Sequence, residues 1–256
     1  MDTVKDFYNR YNYPKVNLYT HRQEKRHQKL MVDILRYGNI DLNNLSNLNI
    51  LDAGCGTGDK SIYLSKRGAK VLAIDFSEGQ IDEAKRNSKT FGVDLKFRQV
   101  DLLTKIDIRQ KFDVILCIGV LHHTENPRLG FENLSKLLAP EGKIIIALYH
   151  KYARLRYRIL RFFIHNLVSR NPDKIMAWLT KSKLAGVLRT VSLPTLYDRY
   201  AIPYESYHTL FEVKLWLSEN DLELLGFSDN VKGIEQLKLF EKKTLFFVGA
   251  KKRKIN

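Results

Sequence analysis

Short unbroken apolar runs punctuate the chain from position 50 onward, and the stretches between them carry apolar residues at helical spacing. The runs at 50–52, 70–75, 112–118 and 143–148 read as strands, 70–75 with the pattern of a buried parallel strand, and the mixed stretch at 94–100 reads as another. Helical segments fall at 60–66, 77–91 and 129–138, and Ser77 with Gln80 makes a capping box at the second. Residues 50–148 therefore read β-α-β-α-β-β-α-β with short connections, which implies a parallel sheet with right-handed crossovers. Pro140, Glu141 and Gly142 are expected to turn the chain into the fifth strand. Upstream, an aromatic stretch (Phe7, Tyr8, Tyr11, Tyr13, Tyr19) precedes a helix opened by a capping box at Thr20 and Gln23 and ending near Gly38.

After position 150 the alternation stops. On a wheel of 100° per residue, Arg154, Arg158, Arg161 and His165 fall within about 60° of one another, while Leu155, Ile159, Leu160, Phe162, Phe163 and Ile164 take the rest. Three readings stay open: a lid facing an anionic ligand, a solvated face on a packed helix, or a basic amphipathic helix on a membrane surface. A second helix is expected over 173–189, breaks at Pro194 and Pro203, a helix over 209–220, and strands at 222–227 and 244–250 before a frayed basic tail at 251–254. The organisation expected is a helical arm or cap at 1–40, a core at 41–150, a basic helical insertion serving as lid at 151–210, and the rest of the core with its tail at 211–256.

The candidate chemistry centres on Ile-Leu-Asp-Ala-Gly-Cys-Gly-Thr-Gly-Asp-Lys-Ser at 50–61. Glycine is needed where backbone takes positive φ or a ligand approaches closely, and the helix start that follows adds unpaired N–H groups. A dinucleotide fingerprint would put Gly or Ala at position 59; Asp59 stands there and would repel phosphate, whereas Asp52 at the strand tip suits a cationic ligand.

The pattern D-x-G-x-G-x-G at 52–58 resembles the first motif of class I S-adenosylmethionine-dependent methyltransferases, and G-V-L-H-H at 119–123 resembles the segment after their fourth strand. L-Y-x-x-x-A-R at 148–154 is similar to one subgroup of them. The resemblance implies a three-layer, doubly wound, mostly parallel seven-stranded sheet with the last strand antiparallel, plus a helical insertion after strand five. It also implies a cofactor, S-adenosyl-L-methionine, with Asp52, Gly54, Cys55, Gly56, Gly58, Asp75, Phe76, Asp101, Leu102 and Cys117 around it. Asp75, 19 residues past Gly56, is suited to the ribose hydroxyls and Phe76 to an adenine face; Asp101 either meets the adenine amine or caps the following turn. Tyr8, Tyr11 and Tyr19 either cover the cofactor or pack the arm.

The composition adds an anionic partner to the picture. The formal charge of +15 on 256 residues concentrates at 1–30, 151–189 and 242–254, leaving a near-neutral body. Nucleic acid or an anionic membrane surface, met through the lid and tail, is one explanation, and plain solubility is the other. No apolar run of about 18 residues occurs, no signal-peptide stretch opens the chain, and a cytoplasmic location is expected. The two cysteines do not make a disulfide framework, and no His or Cys spacing points to a metal.

The function expected is S-adenosylmethionine-dependent methyl transfer to an O, N or C atom of a small, hydrophobic or anionic acceptor. His122 and His123 are candidates for a proton acceptor, with Tyr149, His150 and Arg154 as candidates for substrate contacts. The alternatives are an RNA (tRNA) methyltransferase using the basic patches and a non-catalytic binding protein that keeps the pocket. The pattern leaves the oligomeric state open.

Overall fold

A computed structural model describes residues 4–10, 21–181, 196, 199–232 and 244–253. In chain order the elements are α1 (Val4–Arg10), α2 (His21–Leu35), β1 (Asn49–Ala53), α3 (Asp59–Ser65), β2 (Lys70–Asp75), α4 (Glu78–Thr90), β3 (Lys96–Gln99) and β4 (Phe112–Ile118). They continue with α5 (Pro127–Ser135), β5 (Leu138–Tyr149), α6 (Leu155–Phe163), α7 (Pro172–Lys181), α8 (Leu210–Glu219), β6 (Leu222–Phe227) and β7 (Leu245–Lys252). The strands form one seven-stranded sheet in the order β3-β2-β1-β4-β5-β7-β6. The first five run parallel, and β7 inserts antiparallel between β5 and β6.

Side-chain alternation along the strands feeds two cores. Leu51, Ile74, Ile115, Ile144 and Leu148 face α5 and α8, through Phe131, Leu134, Val213 and Trp216. Ile50, Val71, Val114 and Ile145 face α2 and α3, through Met31, Leu35, Tyr63 and Leu64. This is the three-layer arrangement that covers both faces of a parallel sheet.

Several boundaries differ from the sequence expectation for local reasons. The helix expected at 129–138 starts two residues earlier, because Pro127 occupies its first turn and the Asn126 side chain accepts the Leu129 N–H at 3.0 Å. Residues 140–142 do not form a separate turn. Leu138 already pairs with Phe112, and a kink with Glu141 at φ +60° lets the strand resume its ladder at Lys143. At Ser77 only half of the capping box forms, since Ser77 Oγ accepts the Gln80 N–H but the buried Gln80 amide makes no hydrogen bond. The basic tail is shorter than expected, with Lys251 and Lys252 inside β7 and Lys251 3.3 Å from Glu141. The Thr20 cap, Tyr11, Tyr19 and the helix expected beyond 181 lie outside the described residues.

A third apolar cluster joins the arm to the insertion. Phe7 of α1 packs with Ile164, Ile175, Met176, Leu179, Leu196, Tyr200 and Ile202. α1 has seven residues, too few to be stable alone, so this cluster and its contact with α4 hold it. Replacing Phe7 by Ala should cost about 3 kcal/mol of local stability. Hydrogen exchange should then quicken across 164–179 while the strands keep their protection; uniform protection would show that arm and insertion are not one unit.

Candidate functional site

The strand order reverses between β1 and β4, and ligands of open α/β sheets bind outside the carboxyl ends at such a point. The loop leaving β1 is fixed there by Gly54 N–H and Cys55 N–H, which both donate to the Ile74 carbonyl at 2.8 and 3.0 Å. Gly54 sits at φ +75°, and a Cβ on it would come within 2.2 Å of the Val120 side chain. Only glycine lets the loop lie against the segment after β4. At Gly56, φ +54°, a Cβ would meet nothing within 4 Å, so the backbone borders open space.

Two buried carboxylates frame this loop. Asp52 Oδ2 accepts from Ser61 Oγ at 2.6 Å, while its buried Oδ1 makes no hydrogen bond and lies 3.9 Å from the Lys60 ammonium. Burial pushes the Asp52 carboxyl above the ordinary range, against the pull of Lys60 and Ser61. Asp75 accepts the Gly56 N–H on Oδ2 at 2.9 Å and the Ser77 N–H on Oδ1 at 3.0 Å. Burial raises its pKa too, and those two bonds oppose the rise.

The other expected contacts fall around the same edge. Half-buried Phe76 lies 6.3 Å, edge to face, from Tyr8 of α1, whose neighbour Asn9 accepts from Ser77 Oγ at 2.7 Å. Asp101 is exposed and accepts the Leu103 N–H at 2.9 Å, the turn-capping role; Leu102 is buried, and its carbonyl accepts from Asn133 of α5. Cys55 and Cys117 are buried free thiols that burial, and next Asp52, drive toward the protonated form.

After β4 a 3-10 turn carries Leu121–His123. His122 is buried, its ring 3.7 Å from that of Tyr149 and 4.3 Å from that of His123. Burial, then His123, Arg154 and His208, hold it well below the ordinary imidazole pKa. His123 lies beside it, its ring 5.5 Å from Tyr149 and 6.3 Å from Tyr8, with Nδ1 3.2 Å from the Tyr204 carbonyl. A carbonyl only accepts, so Nδ1 carries a proton, and in the neutral ring the basic nitrogen is Nε2.

Tyr149 and His150 separate because successive strand residues face opposite ways. Tyr149 lies under the Arg154 guanidinium at 3.5 Å. His150 instead packs on Phe246 and accepts the Ala153 N–H on Nδ1, away from the His122–Tyr149 cluster. Arg154 bonds Glu205 at 2.9 Å, Arg161 lies 3.9 Å from the other Glu205 oxygen, and the Tyr207 hydroxyl donates to Glu205 as well. The pair of arginines holds the Glu205 carboxyl below its usual range although burial alone would raise it. Glu205, Tyr207, Asn9 and Ser61 were not expected from the sequence. Glu205 follows its partner Arg154 by 51 residues, with no periodicity to link them.

Among the described residues no group of three His, Cys, Asp or Glu side chains could hold a metal ion. No described helix is long and apolar enough to cross a membrane. The side chains present fit S-adenosylmethionine: a carboxylate for ribose hydroxyls at Asp75, an aromatic face at Phe76, an open loop at Gly56, and at Asp52 a carboxylate oxygen that makes no hydrogen bond among the described residues and faces the Lys60 ammonium at 3.9 Å.

Residues 44–205 match the family described as methyltransferase domain. An uncharacterised protein of Synechococcus sp. is 31% identical over 201 residues, 70% of this chain but only 48%, about half, of that protein. The ubiquinone biosynthesis O-methyltransferase of Coxiella burnetii is 28% identical over 182 residues, 70% of this chain and 76% of that protein. Magnesium protoporphyrin IX methyltransferase of Synechocystis PCC 6803, crystallised with bound SAH, has the same fold, with a TM-score of 0.61 at 20% identity over 97% of each chain. With more than half of its length matched to that family and its sheet in the order 3-2-1-4-5-7-6, the chain belongs to the class I, S-adenosylmethionine-dependent methyltransferases.

Proposed function

We propose that this chain methylates a hydroxyl oxygen of a small, apolar, ring-bearing acceptor held between the strand tips and the cap. The observation that carries this reading is the aromatic wall at the junction, where Tyr8 of the arm meets both Phe76 and His123 while Tyr149 lies against both histidines. The similarity to an O-methyltransferase of ubiquinone biosynthesis supports the oxygen and the apolar ring. A small acceptor is supported over tRNA by the inward turn of the basic stripe, since Arg154 and Arg161 are occupied with Glu205 and His165 Nε2 faces the Tyr200 carbonyl at 2.8 Å.

Bound S-adenosylmethionine supplies a sulfonium-activated methyl group. The protein's task is then to hold the acceptor oxygen in line with it, and orientation of this kind is worth roughly 7–11 kcal/mol. Asp75 and Phe76 would hold the ribose and adenine, and the cap would exclude water. The acceptor's hydroxyl proton passes to Nε2 of His123, whose tautomer the Tyr204 carbonyl sets. His122 is buried and easily kept neutral, so it serves as packing beneath Tyr149.

Three measurements test this. With labelled methyl donor, the chain should methylate phenolic or quinol acceptors and not tRNA; labelling of tRNA alone would replace the proposal. Asp75→Ala should abolish calorimetric binding of the donor, whereas His123→Gln should leave that binding intact and lower kcat by about 10²–10⁴-fold. Unchanged kcat would remove His123 from the proton path. For His122, the unfolded chain binds more protons than the folded one below pH 6.5, so stability should fall as pH drops, by up to about 1.4 kcal/mol per unit. His122→Leu should flatten that slope between pH 6.5 and 5 in denaturant titrations, and an unchanged slope would contradict the buried, neutral ring.

A further inference from the structure

We infer that the outer face of α6 docks this protein on an anionic lipid surface. α6 spans Leu155–Phe163 and runs on as a π-helical turn, Ile164–Val168. Arg161 and Ile164 point inward, toward the Ile202 carbonyl and into the cap cluster. The opposite side carries Ile159 (51% exposed), Phe162 (64%), Phe163 (50%) and Leu167 (78%). Ile159, Phe162 and Phe163 span about 100° of the helix wheel, with Leu167 on the next turn. The two phenylalanine rings stand edge to face at 5.8 Å. Clustered apolar exposure of this kind marks an interaction site, where scattered single residues would not.

Charge decides what covers the face. Residues 151–181 hold eight Lys or Arg and one acid, Asp173. Arg154 and Arg161 are taken up by Glu205, but Arg156, Arg170, Lys174 and Lys181 are exposed. Arg156 falls within about 20° of Phe163 on the wheel, and Arg170 reaches back to Asn166 Oδ1 at 3.5 Å. A second copy of the chain would bring the same positive charge against itself, which opposes a symmetric pairing through this face. An anionic bilayer meets both requirements, with an acyl boundary for phenylalanine and leucine and negative headgroups for arginine and lysine. The helix is far too short to span a bilayer, so it lies in the interface plane. The inference rests on exposure and charge alone and stands apart from the methyl-transfer reading.

The test is co-sedimentation of the full chain with vesicles of phosphatidylcholine, with and without phosphatidylglycerol. The wild type should sediment with the anionic vesicles and less so as salt rises. A variant combining Phe162→Ser, Phe163→Ser and Leu167→Ser should lose at least about tenfold in partitioning while its circular dichroism and melting stay unchanged, because all three side chains face out. A second variant, Arg156→Glu with Arg170→Glu, should erase the preference for anionic over neutral vesicles. Equal binding by wild type and the triple variant, or no wild-type binding to either vesicle, would overturn the inference. So would a dimer in light scattering that the triple variant dissolves, since a second copy would then be the occupant.

Discussion

One carboxylate, Asp75, fastens together the parts on which the site depends. Its Oδ2 takes the N–H of Gly56 and its Oδ1 the N–H of Ser77. The Ser77 hydroxyl accepts from Gln80 N–H, starting α4, and donates to Asn9 of α1. The glycine loop, the helix behind β2 and the arm of the cap thus share an anchor. Burial opposes the charge on that anchor, and the two N–H groups oppose the burial. A ligand that placed hydroxyls on the remaining lone pairs would add to the same balance, so binding there and the local fold would draw on one carboxylate.

Most of the sheet was legible because β2, β4 and the second half of β5 are buried, nearly unbroken apolar runs, whereas exposed β3 is mostly polar. The strands expected at 70–75, 112–118 and 222–227 appear with those bounds. The start of β5 was not legible, since Pro-Glu-Gly is turn chemistry locally and only pairing with β4 keeps it in the ladder. Nor was α1, whose seven residues owe their helix to Phe7 in a core assembled from residues more than 150 positions away. Around the candidate site, the glycine turn and the acids at 52 and 75 could be placed on the fold, because a strand precedes each turn and a helix follows it. Asp101 allowed two readings, and the nearby Leu103 N–H occupies its carboxylate. Glu205 carried no signal at all, because its meaning lies in partners distant in sequence.

The same gap explains why α6 is built inside out. A helical wheel tells which residues share a face but not which face looks inward, and hydropathy favours burying the side with Phe162 and Phe163. Glu205 reverses the choice. With that carboxylate at the junction, Arg154 and Arg161 can be buried, and Arg161 finds a further acceptor in the Ile202 carbonyl. A buried pair of this kind is weak evidence for stability, because desolvation offsets most of the attraction. It does specify orientation, since turning α6 over would leave Glu205 buried without its cations.

That orientation reaches the turn after β4 through Tyr149. The Arg154 guanidinium lies on one side of the tyrosine ring and His122 packs against it as well, so the cap helix, the tip of β5 and the turn after β4 are in mutual contact. In a 3-10 turn consecutive side chains diverge by about 120°. His122 packs closest against Tyr149, 3.7 Å between rings, while His123, 5.5 Å from that ring, turns its Nδ1 toward Tyr204. The His122 carbonyl meanwhile accepts the Ser206 N–H at 2.7 Å and pins the segment that returns from the insertion. That segment also presents the Tyr204 carbonyl to His123. Adjacent histidines are therefore linked through one segment: the carbonyl of the first holds the chain whose Tyr204 carbonyl meets the ring of the second.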